Sequence, residues 1–266
     1  TGLVWGAFRP SDDAQELGYN IPGNLFLAST LGPIERFARE AWNDARLASF
    51  ISQLRADILE GVRRFGTKDL EDGRRVYCYE VDGLGGCKLM DDANVPSLLS
   101  LPYLDPTGQT YDKDIYRSTR QFLLSSQNNW YFSGRAGSGI GSPHTGEDRI
   151  WPMAVIMQAI TAETAQERDE VKRQLTRQLQ SMSQGFVESF DKDNLEDITR
   201  PWFGWPNSLF GEYMLSMDNC RPSTLGIIPE VKPAPKLPPL RSASKPMSFY
   251  NASVKLLRRK GVTLPK

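Results

Sequence analysis

The sequence predicts an all-α protein in which paired helices stack into a ring or an arc. Three observations lead to this fold class. Apolar residues recur every three or four positions over several long segments, which is the spacing of an amphipathic helix. These segments alternate with one that is apolar on nearly every side, and long loops carry the polar and aromatic residues. We therefore expect about seven or eight helices, one small β-hairpin, and a cleft where the loops meet at one end of the stack.

The first part of the chain predicts two or three helices followed by the hairpin. An apolar-rich segment predicts a helix over residues 19–31, and a clear amphipathic stripe follows over residues 33–65. Because Pro33 suits a helix start, this stripe is expected to form one long helix or two packed end to end. The spacing then changes to that of strands over residues 74–90, where a glycine-rich turn predicts the hairpin.

The second part of the chain predicts further helices and a proline-rich end. A short helical segment is expected after residue 94, and longer helices are expected over residues 111–124, 150–162, 165–182 and 205–215. Residues 1–227 are expected to form the folded domain. The composition then shifts, so that residues 228–266 predict a proline-rich extended tail with a short basic terminal helix.

The bulk composition excludes some classes of partner. The chain carries 32 basic and 32 acidic residues, whereas nucleic-acid binders usually have a basic excess. No apolar run reaches membrane-spanning length, and no signal peptide is recognisable. The chain opens without methionine, so a targeting segment could have been removed. Both the secretory pathway and the cytoplasm therefore stay open.

Cysteine and histidine usage gives no sign of a metal or a cofactor. Three cysteines do not make a disulfide framework, although Cys78 and Cys87 could pair across the hairpin. The single histidine, His144, excludes zinc sites with several histidine ligands. The glycine-rich stretch at residues 134–141 lacks the Lys-Ser/Thr ending of a phosphate-binding loop and predicts a flexible loop.

Carboxylates at loop-to-helix junctions are the best candidates for chemistry. Glycoside hydrolysis needs one protonated acid for the leaving oxygen and one carboxylate that acts on water or on the sugar. The same acidic pairs could instead bind calcium or only cap helices. The candidate acids and bases are Asp12, Asp13, Asp91, Asp92 and Glu212, and the candidate sugar-binding neighbours are Arg9, Asn94, His144, Trp202, Trp205 and Asn207.

Seven strings, in order along the chain, resemble glycoside hydrolase family 125. They span residues 8–212, about three quarters of the chain. Any one string is a weak signal, but seven in register are specific. The strings are FRPSDDA (8–14), IPGNLF (21–26), YEVDG (79–83), MDDANVPSLLSL (90–101), SPHT (142–145), IWPM (150–153) and RPWFGWPNSLFGE (200–212).

The resemblance implies a catalytic domain of the (α/α)6 toroid type that acts as an exo-α-mannosidase. It implies a preference for α-1,6 linkages, inversion at the anomeric carbon and no metal requirement, with an α-mannoside or mannose-rich glycan as the partner. The general acid is implied in RPSDD, hence Asp12 or Asp13, of which we favour Asp12. The general base is implied in SLFGE, hence Glu212. The looser binding roles fall to Arg9, Asp91, Asp92, Asn94, His144, Trp202, Trp205 and Asn207.

The chain departs from the resembled family in its number of helices. A closed (α/α)6 toroid needs about twelve helices, and the matching strings begin at the first residues. The chain therefore resembles the C-terminal part of such an enzyme, with exposed apolar helix faces expected. A separate N-terminal segment of the same fold could complete it, the fragment could fold poorly, or the sequence could come from a truncated gene model. The alternative functions are a non-catalytic glycan-binding or structural remnant and, more weakly, a calcium-dependent mannosidase.

Overall fold

The computed structural model describes residues 1–182 and 185–217, so the expected tail at 228–266 and its basic helix lie outside the described residues. This part of the chain is mostly helical. Its helices are α1 (Ile21–Glu40), α2 (Ala45–Phe65), α3 (Leu101–Leu104), α4 (Lys113–Leu123), α5 (Pro152–Ile160), α6 (Ala165–Ser181) and α7 (Gly204–Met217). None of them is long and apolar enough to cross a bilayer.

The hairpin expected over residues 74–90 is present as a strand pair within those residues, but one hairpin is too few, because strands between residues 19 and 199 form four small antiparallel sheets. The sheet orders are β1-β4-β5, β10-β9-β8, β2-β3 and β6-β7. Most strands have only two or three residues, which is too short for an alternating pattern to stand out in the sequence. The strands are β1 (Tyr19–Asn20), β2 (Thr67–Asp69), β3 (Arg75–Tyr77), β4 (Glu80–Val81), β5 (Cys87–Lys88), β6 (Tyr131–Ser133), β7 (Ser138–Ile140), β8 (Arg149–Ile150), β9 (Ser189–Asp191) and β10 (Asn194–Thr199).

Helices α1 and α2 pack side by side, so the expectation of one long helix, or two packed end to end, over residues 33–65 is wrong. Pro33 lies inside α1 and does not start a helix. The chain turns after α1 because Asn43 takes a left-handed backbone conformation (φ 53°) and Asp44 caps α2 by accepting from the Leu47 amide at 2.9 Å. The contact between the two helices buries Ala28, Leu31, Ala38, Ala48, Ile51 and Ile58, and side chains of the pair that stay exposed include Phe26, Ile34, Phe37 and Phe50.

Helix α5 lies at the centre of the domain and contributes to two hydrophobic clusters. Met153 and Met157 belong to the cluster that contains α1, β3 and β4, while Val155 and Ile156 belong to the cluster that contains α6 and β9. The expectation of a helix buried on nearly all sides is confirmed. Its position matters for the site, because the loop before α5 and the start of α7 both contact it.

The β4–β5 hairpin is cross-linked. A disulfide joins Cys78, just before β4, to Cys87 in β5, with the two Cα atoms 5.5 Å apart. Strand β4 also pairs with β1 directly ahead of α1. The hairpin that carries Glu80 is thus tied to the start of α1 and to itself.

Candidate active site

The loop at residues 8–14 is a closed turn that presents Asp12 at its tip. The Arg9 amide donates to the Asp13 carbonyl at 2.7 Å, and the Asp12 amide donates to the Arg9 carbonyl at 3.0 Å. Asp12 has a φ of 68°, in the left-handed region that aspartate tolerates better than most residues. Its side chain is exposed. The turn therefore holds the Asp12 carboxylate outward, and Asp13 is the next residue in the chain.

Arg9 is buried and anchors this loop to strand β4. Its Nε donates to Glu80 Oε1 at 2.5 Å, and the two side chains are 3% and 0% exposed. Glu80 Oε2 accepts from the backbone amides of Glu16 and Leu17, at 2.9 and 3.3 Å. Burial acts to lower the pKa of Arg9, but the hydrogen bond and charge of Glu80 outweigh it, so the pKa is raised. Arg9, an expected sugar ligand, is thus engaged in a buried ion pair.

Asp13 contacts the only histidine of the chain. Asp13 Oδ2 accepts from the Ser11 hydroxyl at 2.9 Å, and Asp13 Oδ1 lies 3.1 Å from His144 Nδ1. Both side chains are half-buried. The structure therefore brings together two predicted site residues that are 131 positions apart in the sequence.

Asp92 and Asn94 are buried and connect to the same region through Ser142. Asp92 Oδ1 accepts from the Asn94 backbone amide at 3.0 Å and from its side-chain amide at 2.8 Å. The Ser142 hydroxyl donates to Asp92 Oδ2 at 3.1 Å and accepts from the His144 backbone amide at 3.2 Å. Burial raises the pKa of Asp92, although these hydrogen bonds act against it. One hydroxyl thus ties the acidic segment to the His144 loop.

Asp91 is fully buried and closes its own segment. Its two carboxylate oxygens accept from the Leu98 and Leu99 amides, each at 2.9 Å. Burial raises the pKa of Asp91 to about 7, even though the hydrogen bonds from the two backbone amides act to lower it. Asp91, also an expected sugar ligand, therefore has both oxygens engaged inside the protein.

The second group of predicted residues lies at the start of α7. Trp202 and Trp205 are each more than half exposed, as a stacking surface for a sugar ring requires. Asn207 is different, because its side chain bonds the backbone. It accepts from the Phe186 amide at 2.9 Å and donates to the carbonyls of Phe186 and Phe203 at 2.8 and 2.6 Å. Both N–H groups of Asn207 are therefore used within the fold.

Glu212 lies on α7 and borders an open cavity. Its side chain is exposed, and its Oε2 accepts a hydrogen bond from the Tyr103 hydroxyl at 2.9 Å. The cavity has a volume of about 300 Å³ and is lined by Val95, Tyr103, Met153, Trp205, Ser208, Leu209 and Glu212. The lining combines one carboxylate, one phenol and one indole with an apolar floor, which is the usual composition of a small-molecule site.

Aromatic rings connect the His144 loop to this cavity. The ring of His144 lies 6.3 Å from that of Trp151, Trp151 lies 6.0 Å from Phe203, and Phe203 lies 5.4 Å from Trp205. Trp151 is buried and is held by a hydrogen bond from its Nε1 to the Thr145 hydroxyl at 2.8 Å. The loop that carries Asp12 and the cavity that carries Glu212 therefore belong to one continuous set of contacts.

Several residues of this network were not singled out from the sequence, among them Trp151 and Phe203 in the chain of aromatic rings. Glu80 and Ser142 fall inside matched strings, and their buried positions would have to be known before their roles could be proposed. Tyr103 lies two residues beyond the string that ends at Leu101. Within residues 1–182 and 185–217, no group of three or more His, Cys, Asp or Glu side chains is arranged so that it could hold a metal ion.

Comparisons with known proteins agree on one family. The family model described as metal-independent alpha-mannosidase (GH125) matches residues 1–215. The chain is 40% identical over 227 residues to the meiotically up-regulated gene 157 protein of Schizosaccharomyces pombe. This match covers 84% of this chain and 43% of that protein.

A solved structure from Streptococcus pneumoniae is also similar. It belongs to a study of metal-independent alpha mannosidases and is described as a non-productive substrate complex with alpha-1,6-mannobiose. The match has a TM-score of 0.77 and 36% identity, and covers 83% of this chain and 52% of that one. The chain thus spans about half the length of these relatives. By the match over residues 1–215, the chain belongs to glycoside hydrolase family 125.

Proposed function

We propose that this chain carries the catalytic carboxylates of an inverting, exo-acting α-mannosidase that releases mannose from α-1,6-linked mannosides. Residues 1–227 would be its catalytic domain, part of an (α/α)6 toroid. The observation that carries the proposal is the continuous set of contacts from the loop of Asp12 and Asp13, through His144, to the cavity of Glu212. Family membership and the mannobiose complex of the Streptococcus pneumoniae relative support the substrate class.

We assign the general acid to Asp12 and the supporting role to Asp13. The Asp13 carboxylate is already engaged, because its two oxygens contact the Ser11 hydroxyl and His144 Nδ1. The Asp12 carboxyl makes no hydrogen bond to another side chain in the described part of the chain and projects from the turn. Of the two side chains, it is therefore the one free to reach the leaving oxygen of a substrate.

We assign the general base to Glu212. In an inverting enzyme the base activates a water on the opposite face of the sugar, with the two carboxyl groups about 6.5–9.5 Å apart. Trp205 lines the same cavity and would stack on the sugar ring, with Trp202 nearby in the chain. His144 remains the candidate for binding hydroxyls, while the groups of Arg9, Asp91, Asp92, Asn94 and Asn207 are engaged within the protein and support the fold of the site.

The test is mannose release from α-1,6-mannobiose by the full chain and by three variants. Glu212→Gln and Asp12→Asn are each expected to lose about 10²–10⁴-fold in kcat, because each removes one partner of the acid–base pair. Asn tolerates the left-handed conformation at position 12, so loss there reports chemistry and not a misfolded loop. Asp13→Asn is expected to lose less. Glu71→Gln, at an exposed carboxylate outside the site, is the matched control.

Each outcome of this test has a distinct meaning. Proton NMR should detect β-mannose first if the linkage is hydrolysed with inversion, and α-mannose first would contradict the mechanism. Full activity in chelator is expected, and its loss would favour the calcium-dependent alternative. A chain that binds mannoside without releasing mannose would favour the glycan-binding remnant. This alternative is tested because the chain spans only about half the length of its relatives.

A further inference from the structure

We propose that Tyr103 is a positioning residue that fixes the orientation of the Glu212 carboxylate. The proposal rests on the proposed function for its catalytic meaning, but the contact itself does not. The Tyr103 hydroxyl donates to Glu212 Oε2 at 2.9 Å, across 109 residues of sequence. Both side chains line the same cavity of about 300 Å³. A long-range bond to an exposed carboxylate is the one polar contact that ties Glu212 to a neighbouring element among the described residues.

Tyr103 can hold Glu212 because it is itself firmly held. It lies on α3, which starts at the end of the segment closed by Asp91. The Tyr103 amide donates to the Ser100 carbonyl at 3.0 Å. Ser100 in turn exchanges hydrogen bonds with Ser97, whose carbonyl accepts from the Ser100 hydroxyl at 2.8 Å. Ser97 and Ser100 are buried, so their bonds hold the backbone of the short helix, and the Tyr103 ring itself packs against the hydrophobic cluster that contains Met153.

The bond leaves Glu212 with a defined free oxygen. Tyr103 occupies Oε2, so Oε1 is the oxygen available to a water in the cavity. A general base must present an oxygen at a fixed position relative to the water that it deprotonates. Partial burial, followed by the hydrogen bond and charge of Glu212, raises the pKa of Tyr103, so the phenol keeps its proton and stays a donor. An exposed glutamate without this bond would sample several rotamers.

The first test does not depend on turnover. The full chain is labelled with ¹³C at the glutamate carboxyl carbons, and the Glu212 resonance is identified by its absence in Glu212→Gln. At neutral pH, Tyr103→Phe should shift this resonance, because a hydrogen-bond donor to the carboxylate is lost. Tyr111→Phe is the matched control, since Tyr111 packs edge-to-face on Tyr116. An unmoved Glu212 resonance in Tyr103→Phe would overturn the proposal.

The second test uses mannose release by the same variants. Loss of a hydrogen bond to a charged group predicts a fall in kcat of about tenfold or more in Tyr103→Phe. KM should stay within about twofold, because the lost interaction acts on the base and not on substrate binding. Tyr111→Phe should change neither value. An unchanged kcat in Tyr103→Phe, in a chain that turns over, would overturn the positioning role.

The two tests separate this inference from the proposed function. If the unmutated chain releases no mannose while Tyr103→Phe still shifts the Glu212 resonance, the positioning contact stands and the mannosidase proposal for this chain fails. If the chain is active and the resonance does not move, the mannosidase proposal stands and the positioning contact fails. If Tyr103→Phe neither shifts the resonance nor lowers kcat in an active chain, only the positioning role of Tyr103 is rejected.

Discussion

The buried ion pair between Arg9 and Glu80 makes a sharp prediction about stability. Glu80→Gln keeps the size of the side chain but removes its charge. The Arg9 guanidinium would then remain buried without the charge of Glu80. One of the two Glu80 oxygens would become an NH2 group, so either Arg9 Nε or the amides of Glu16 and Leu17 would lose their acceptor. We expect the loop at residues 8–14 to lose its anchor and the whole domain to lose stability.

The magnitude follows from the burial of the two side chains. Breaking a buried pair by removing one partner typically costs about 3–5 kcal/mol, because an uncompensated charge is left behind. Since glutamine can still accept one hydrogen bond, we expect a loss of about 3 kcal/mol in the free energy of unfolding, at the lower end of that range. Glu16 provides the contrast, because its side chain is 61% exposed and lies 3.4 Å from Arg9. Glu16→Gln should cost less than about 1 kcal/mol.

The assay is urea unfolding followed by tryptophan fluorescence, for which the chain offers six tryptophans. With a denaturant slope of about 2 kcal/mol per molar, Glu80→Gln should lower the midpoint by about 1.5 M and Glu16→Gln by less than about 0.5 M. In the Arg9→Met background, Glu80→Gln should cost clearly less, because the pair is already broken. Equal midpoints for Glu80→Gln and Glu16→Gln would refute the argument that burial makes this pair important.

Two further predictions concern polar residues of the site whose side chains bond the backbone. Burial raises the pKa of Asp91 to about 7, above its unfolded value of about 3.9, so the folded state binds the extra proton between these values. Asp91 therefore adds most to the free energy of unfolding below about pH 4, and this contribution is lost as the pH rises to about 7. In urea unfolding, the unmutated protein should lose stability between pH 5 and pH 8, and Asp91→Asn should lose about 2–3 kcal/mol less over the same range. The same pH dependence in both proteins would reject this reasoning. Asn207→Leu removes three hydrogen bonds to the backbone of Phe186 and Phe203 and should cost about 2–4 kcal/mol in urea unfolding, whereas an unchanged midpoint would contradict a structural role.

The longer helices were predictable because each buries a stripe or a whole surface. The pattern over residues 111–124 corresponds to α4, and those over residues 150–162 and 165–182 correspond to α5 and α6. The turn between α1 and α2 was not predictable, because Pro33 imitates a helix start while the actual break depends on the conformation of Asn43. The short strands could not be predicted for a different reason. Two or three residues carry no period, and their pairing depends on partners far along the chain.

The candidate site could be predicted in its residues but not in their contacts. Motif strings pointed to Asp13 and His144 separately, and only the fold places them 3.1 Å apart. Arg9 and Asn207 were expected to bind sugar because their residue types do so on a surface. Their groups are instead bonded within the protein, to Glu80 in one case and to the backbone in the other. Residue type and motif indicate a site, whereas burial decides which side chains can reach a ligand.

The buried polar residues of the site indicate why the fold keeps them. Arg9, Glu80, Asp91 and Asp92 are each 5% exposed or less, and charged side chains are rarely buried so deeply unless they are paired. Apolar residues of similar size would often give a fold of equal or greater stability. Each of these groups, however, bonds a segment that leads to a proposed catalytic carboxylate: the Arg9–Glu80 pair holds the loop of Asp12, and Asp91 closes the segment that leads to Tyr103 and Glu212. We infer that the domain accepts this cost in stability because rigid loops would keep the two carboxylates at a fixed separation, which the proposed inverting mechanism requires.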